Sequence, residues 1–263
     1  EMPSLSPQET PPKFDKRALK AALRQFPAGT APGPSGLSMQ HVLSLSYHPG
    51  DILYTALADI CNRLASGALP PIAQVHFASA RLIALEKKDG GYRPIACGES
   101  LRRLTAKMLC MSCRRAAQEW FAQHGQMGVA VPGGGEAIIH HARAVIAAKR
   151  LHNDVNSIAF KVDFENAFNC VSRSLMLKGI QHHFPSLMPY ARWTIGTSVS
   201  KLFHGEFTLE STSGGHQGDP LMPLFFAVAL ALLRNQMFFS LDGEERDILT
   251  PPQLDAKDGL DMN

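Results

Sequence analysis

The chain has 263 residues, of which 45% are hydrophobic and 19% charged, and its formal net charge is +3. This balance is typical of a globular protein and excludes an intrinsically disordered chain. The longest apolar run, Leu221–Leu233, contains Pro223 and is too short to cross a bilayer. No leader is visible either, so we expect an intracellular protein, nuclear or cytoplasmic, with no membrane partner.

The charges are unevenly distributed along the chain. Nine basic and three acidic residues lie between Ala80 and Arg115, whereas seven acidic and two basic residues lie between Phe239 and Asn263. A basic block inside a folded region favours contact with phosphates, and a solvated surface explains it equally well.

The five cysteines are odd in number and indicate reduced, mostly buried thiols. Cys110 and Cys113 have metal-ligand spacing, but they lie in a helical pattern and no second pair follows, which argues against zinc. The adjacent histidines at 140–141 and 182–183 point to different faces of their helices, so we expect no shared metal site there.

The N-terminal region is predicted to be helical after a flexible, Pro-rich lead-in at residues 1–13. The apolar spacing predicts helices at Phe14–Phe26, Leu37–Leu45 and Ile52–Leu64, with a turn-rich loop at Pro27–Gly36.

A basic hairpin is predicted next. Val75–Leu85 and Tyr92–Cys97 read as strands joined by a turn at Lys87–Gly91, where Asp-Gly is the turn signal. Lys87, Lys88 and Arg93 bracket this tip, where cations can contact a triphosphate, or simply keep the tip soluble. Helices are predicted at Leu101–Phe121 and Glu136–Lys149.

An acidic residue closes the next predicted strand, Ser157–Asp163, on the face opposite its apolar residues. The Asp163 carboxylate could bind a divalent cation, or it could cap the helix that starts near Asn166. Phe168, five residues further on, could press against a bound sugar or belong to the core.

A Gly-rich turn follows the predicted strand Lys201–Leu209. Ser213–Pro220 contains Gln217 and opens an apolar helix, whose free N–H groups could face an anion. A plain connection from strand to helix is the alternative. The tail from residue 241 is polar and predicted to be poorly ordered.

Four segments, in order, resemble the reverse transcriptase domain of non-LTR (LINE-type) retrotransposons. They are the loop 28–37 (AGTAPGPSGL), the hairpin and helix 82–107, the first palm motif 161–173 (KVDFENAFNCVSR) and the second palm motif 214–226 (GGHQGDPLMPLFF). The resemblance covers residues 14 to about 240. Ser35 stands where the family usually has Asp, and Met222 where it usually has a small residue.

The resemblance implies an α+β fold, a right-hand polymerase with fingers and an incomplete palm but no thumb. The expected organisation is a lead-in at 1–13, N-terminal helices and fingers at 14–156, a partial palm at 157–240 and a poorly ordered tail at 241–263.

The resemblance also implies a nucleotidyltransferase that extends a primer 3′-hydroxyl by two-metal phosphoryl transfer. The implied partners are an RNA template, a DNA primer and deoxynucleoside triphosphates, with Mg²⁺ as the cofactor. Asp163 would be the catalytic, metal-binding carboxylate, with the Phe164 carbonyl beside the same ion. Phe168 would exclude a ribose 2′-hydroxyl. The implied nucleotide contacts are Lys87, Arg93, Phe164, Phe168, Gln217 and Gly218.

The chain departs from the family at the third palm motif. No aromatic-x-Asp-Asp sequence follows the second motif, and the scattered aspartates after residue 241 do not form one. We therefore expect a fragment cut before that motif and inactive on its own. The alternative is a non-catalytic nucleic-acid-binding or assembly module that kept the fold.

Overall fold

The computed structural model describes residues 7–44, 52–88, 90–152, 161–196 and 200–242, the last eight of these as backbone only. Within them the chain is α+β, as expected. The helices are α1 Lys16–Leu23, α2 Met39–Ser44, α3 Ile52–Ala65, α4 Pro71–Ala78, α5 Ser100–Gln123, α6 Gly134–Leu151, α7 Ala167–Cys170, α8 Arg173–His183, α9 Met188–Ala191 and α10 Met222–Asp242. The strands are β1 Ala80–Glu86, β2 Tyr92–Gly98, β3 Ser200–His204 and β4 Phe207–Ser211.

The sheet has four strands in the order β2-β1-β3-β4. β1 and β2 form an antiparallel hairpin, as do β3 and β4, and the two hairpins join through a short parallel pairing of Ala80 with Leu202. The sheet therefore unites strands from residues 14–156 with strands from residues 157–240, and the predicted boundary between those regions stays a prediction.

The core lies among the helices around α5. Leu104, Met108 and Phe121 of α5 are fully buried and pack in one cluster with residues of α1, α3, α8 and α10. Burial of such apolar side chains is the main stabilising contribution. α8 and α10 approach closely because position 179 is a glycine: a Cβ there would lie 2.5 Å from Val228 Cγ1.

The predicted strand Val75–Leu85 is wrong in its first part. Residues 71–78 form α4, which has Pro71 at its first turn, and the strand starts only at Ala80. A short apolar run suits a helix or a strand equally well, and Pro at the first helical position favours the helix.

The predicted single strand Lys201–Leu209 is also wrong. The chain turns at Gly205, whose φ is +59°, and β3 and β4 pair back on each other from His204 and Phe207. Glycine adopts this left-handed conformation without steric cost, so it permits a two-residue turn.

The predicted strand Ser157–Asp163 falls largely outside the described residues, since 153–160 are not among them. Residues 161–164 carry no regular secondary structure. Residues 241–242 of the predicted tail form the end of α10, and the remainder, after residue 242, lies outside the described residues. In the predicted flexible lead-in, Pro7–Glu9 form a 3₁₀ turn, and Glu9 pairs with Arg192 at 2.6 Å, so an ion pair holds this part.

Among the described residues, no helix combines the length and apolar character needed to span a membrane.

Candidate functional site

The first motif forms an exposed turn. Residues 161–164 run irregularly into a reversal at Asn166, whose φ is +52°, and α7 follows. Asparagine tolerates this left-handed conformation better than most residues. Asp163 is exposed, and the cap position of α7 belongs to Asn166 without a side-chain hydrogen bond. The helix-capping alternative for Asp163 therefore does not hold.

The second motif packs directly against the first. Gly214 N donates to Val171 O (3.1 Å), and Gly215 N donates to Phe168 O (2.8 Å). Gly214 has φ +57°, and a Cβ there would overlap the backbone of Phe168 and Asn169. The glycines are therefore needed for close approach of two backbones, which brings Gln217 to the side of the first motif.

A buried polar cluster supports the Gln217 loop from beneath. Arg102 pairs with Asp219 at 2.8 Å, with both side chains below 10% exposed, and Arg102 Nη1 lies 3.1 Å from His216 Nδ1. Because an arginine can only donate, His216 Nδ1 accepts, and Nε2–H is left to donate to Ser200 Oγ, 3.1 Å away. The loop is thus fixed on both sides of Gln217.

The ionisation of this cluster follows from its burial. Burial, reinforced by the Arg102 and Arg173 guanidiniums, holds the pKa of His216 well below its usual value of 6.5. Burial and the Asp219 carboxylate raise the pKa of Tyr190 well above its usual value. A neutral imidazole beside a paired guanidinium is therefore the stable state at neutral pH.

The basic hairpin closes the site from the other side. Its turn is tied by a hydrogen bond from Lys87 N to Gly91 O (3.0 Å), and both Lys87 and Arg93 are exposed. β2 holds the Gln217 loop directly, because Ala96 N donates to Gln217 O at 3.1 Å.

These three segments enclose a cavity of about 550 Å³. That volume lies within the range of small-molecule sites, about 300–1,000 Å³. Six of the seven residues predicted for the site line it: Lys87, Arg93, Asp163, Phe164, Phe168 and Gln217. Cations of the hairpin thus share one cavity with carboxylates of the first motif, although Lys87 and Asp163 are far apart in sequence.

Gly218, the seventh predicted residue, is not part of the cavity lining. Its φ is +141°, and a Cβ would lie 2.8 Å from Ala96 O. Its role in the structure is to let the loop approach β2.

Phe168 packs against the core and also borders the cavity, and its contact with a sugar stays a prediction. It packs against Phe226 with ring centroids 5.1 Å apart, and it also lines the cavity. One edge of the ring is therefore held by the core, so the ring is a rigid part of the cavity wall.

No protein-family model matches this chain, and no curated protein matches it significantly. The motifs and the geometry of this cavity are therefore the features that bear on the function of the chain.

Several residues that line the cavity were not predicted from the sequence. Pro94, Glu165, Asn166, Ala167 and Asn169 also line the cavity. Of these, only Glu165 could have been predicted from the sequence, because it is a second acidic residue two positions after Asp163. The turn places both residues in the lining of the cavity.

The carboxylates partly fit the magnesium that the resemblance implies. Mg²⁺ in nucleotide sites is held by one or two carboxylates together with phosphate oxygens, and Asp163 and Glu165 both line the cavity. That donor set fits one ion shared with a triphosphate. Among the described residues no three His, Cys, Asp or Glu side chains come together as a metal-binding group, so a second ion has no evident ligands there.

The buried part of the basic block has a structural role. Arg102 and Arg103 lie inside α5, where Arg102 pairs with Asp219 and Arg103 donates to Ser100 Oγ (3.4 Å). The charge count from Ala80 to Arg115 therefore overstates the cations available to a phosphate.

The thiols of α5 lie in an apolar environment. Burial raises the pKa of Cys113 to about 11 and that of Cys110 further still. Both thiols are therefore protonated at neutral pH, and the expectation that they bind no zinc stays a prediction.

The loop of the first resembling segment explains the departure at position 35. Ser35 donates from its backbone N (2.8 Å) and its Oγ (2.6 Å) to the two oxygens of Glu99, which is 3% exposed. An aspartate at 35 would set a second carboxylate against a buried one. The Ser35–Glu99 contact instead fastens this loop to the start of α5.

Proposed function

We propose that this chain is the fingers and partial palm of an RNA-directed DNA polymerase, and that its cavity receives a magnesium-bound deoxynucleoside triphosphate. One observation carries the proposal: the hairpin cations, the acidic turn and the Gln217 loop line a single cavity. The same three segments are among the four that resemble reverse transcriptases.

Each segment that lines the cavity has a distinct role in the proposed reaction. Lys87 and Arg93 neutralise the triphosphate, with Arg93 able to make bidentate contacts. Asp163, with the Phe164 carbonyl, would hold magnesium, which when bound supplies charge neutralisation at the reacting phosphate. Phe168 borders the sugar, and Gln217 offers both a donor and an acceptor to the nucleotide.

A ternary-complex measurement tests this proposal. The affinity of the chain for a fluorescent RNA-template/DNA-primer duplex is measured by anisotropy with magnesium and each deoxynucleoside triphosphate in turn. We expect the triphosphate complementary to the next template base to tighten binding, because it pairs with the template while it occupies the cavity. Equal affinities with all four triphosphates would contradict template-directed binding.

The same chain should not extend the primer. Two carboxylates line the cavity, and the described residues offer no group of three acidic or metal-ligating side chains. Incubation with magnesium and all four triphosphates, followed by gel electrophoresis, is expected to leave the primer at its original length. Clear incorporation would show that this carboxylate set suffices.

The described part of the chain brings no third acidic or metal-ligating side chain to this site, which also favours a second candidate, a non-catalytic nucleic-acid-binding module that kept the fold. Such a module would bind the duplex through phosphate contacts alone. Its affinity would fall steeply with salt and would not respond to the complementary nucleotide.

A further inference from the structure

Arg173, the first residue of α8, donates several hydrogen bonds to the loop that leads to Gln217. Its Nε donates to Gly214 O (2.7 Å), and its Nη2 donates to Ser211 O (2.9 Å), Ser211 Oγ (2.9 Å) and, more weakly, Ser213 O (3.3 Å). The guanidinium is half-buried, and burial together with repulsion from Arg102 lowers its pKa. One side chain thus satisfies acceptors on three residues of a single loop.

The backbone next to Arg173 continues the same contact. Ser213 Oγ donates to Asn169 O (3.0 Å), Gly214 N to Val171 O (3.1 Å) and Gly215 N to Phe168 O (2.8 Å). Residues 168–173 therefore hold residues 211–215 along their length. Arg173 closes the end of this contact that is remote from the cavity.

Gln217 lies two residues beyond this contact, and Ala96 N holds its carbonyl on the opposite side at 3.1 Å. Arg173 itself does not line the cavity. We propose that Arg173 is a positioning residue: it sets the separation of Gln217 from Phe168 across the cavity and thereby tightens binding of a magnesium-bound deoxynucleoside triphosphate. The nucleotide part of this inference rests on the proposed function.

The contact requires the planar fork of an arginine. Two nitrogens of one rigid group reach Gly214 O and Ser211 O at the same time. A lysine keeps the charge but presents one nitrogen on a flexible stem, so it cannot bridge both carbonyls in this geometry.

A double-mutant cycle tests the positioning role. The affinity for magnesium-bound dATP is measured by calorimetry for the unmodified chain, Arg173→Lys, Gln217→Ala and the double variant. We expect Arg173→Lys to weaken binding about tenfold, and the double variant to bind no more weakly than Gln217→Ala alone, because Arg173 acts through Gln217. Independent, multiplying losses would overturn the proposal.

Arg192→Lys is the matched control, because Arg192 is also a partly exposed arginine and pairs with Glu9 away from the cavity. Its nucleotide affinity should be unchanged. Should Arg173→Lys fail to fold, Ser211→Ala removes one acceptor of the same guanidinium and should weaken binding in the same direction but less. An unchanged affinity in Ser211→Ala would then count against the proposal.

Hydrogen exchange separates this inference from the proposed function. In Arg173→Lys the amides of Gly214 and Gly215 should exchange about tenfold faster, while those of α5 stay protected. Unchanged exchange at both glycines would refute the positioning role. If the unmodified chain binds no dATP, the proposed function fails, and the exchange data still decide whether Arg173 orders the loop.

Discussion

Asp163 and Glu165 are exposed side chains on an irregular turn, and they line a cavity that positively charged side chains also line. Across the cavity stand Lys87 and Arg93. Carboxylates and cations that border one cavity without direct pairing can both be satisfied by a phosphate carrying a divalent ion. An ordinary helix cap would have turned Asp163 toward the α7 backbone instead.

The buried imidazole of His216 makes the free energy of unfolding of the protein depend on pH. The unfolded chain takes up a proton near pH 6.5, whereas the folded pKa is held well below that value by burial and by Arg102. The unfolded state therefore binds more protons as the pH falls below about 6.5, and stability is lost by up to about 1.4 kcal/mol per pH unit for each such group.

The melting temperature should fall more steeply between pH 7 and pH 5 in the unmodified chain than in His216→Gln. His124, whose pKa is also lowered chiefly by burial, leaves a smaller slope of the same sign in that variant. His140→Gln on the exposed face of α6 is the control and should follow the unmodified chain. Parallel curves for the unmodified chain and His216→Gln would contradict this role.

At the residue scale, the sequence predicts those site residues that lie within a recognisable local motif. Lys87, Asp163 and Gln217 are recognisable because each lies in a short motif of turn residues. The residues that hold these motifs in place, such as Arg102 and Arg173, are not recognisable in this way. Arg102 meets Asp219 across 117 positions of sequence, and no local pattern reveals that pairing.

At the element scale, the junction between the two motifs depends on a glycine that accepts both a positive φ and a close neighbour. Gly214 (φ +57°) and Gly205 (φ +59°) share the left-handed backbone conformation, but a Cβ at 205 would have nothing within 4 Å. Gly205→Ala should cost about 1–2 kcal/mol of unfolding free energy from the left-handed conformation alone.

Gly214→Ala should cost more than Gly205→Ala by about 1–3 kcal/mol, because the added methyl also meets the backbone of Phe168 and Asn169. Urea unfolding of the two variants measures the difference. Gly214→Ala should also weaken nucleotide binding, whereas Gly205→Ala should not. Equal destabilisation would mean that the two motifs do not pack as closely as described.

The elements themselves were predictable where their pattern was long. α5 was predicted at Leu101–Phe121 and is observed at Ser100–Gln123, and a helix was predicted after Pro220, where α10 begins at Met222, although its end was not predicted. α4 was missed because an apolar run of eight residues fits either structure and Pro71, which favours the helix, was not used. The hairpin β3–β4 was missed because Gly205 is a single turn residue inside an alternating run.

At the scale of the whole molecule, the cavity exists because distant segments converge on one sheet edge. β2 carries Arg93 and donates a hydrogen bond to the Gln217 loop, Lys87 lies in the turn that leads into β2, and Gly215 of the same loop binds α7, which follows the turn of Asp163. Segments as far apart in sequence as those of Lys87 and Gln217 must therefore come together before the cavity forms. Short-range patterns predict its three walls but not their convergence.

The most direct test of the proposal that this cavity binds a nucleotide is a calorimetric titration of the chain with dATP, with and without magnesium. We predict binding at one site that requires magnesium and is weakened about tenfold or more by Asp163→Asn and by Arg93→Ala. Asp59→Asn, an exposed carboxylate on α3, should bind as the unmodified chain does. Absence of binding, or binding indifferent to magnesium and to both cavity variants, would contradict the account.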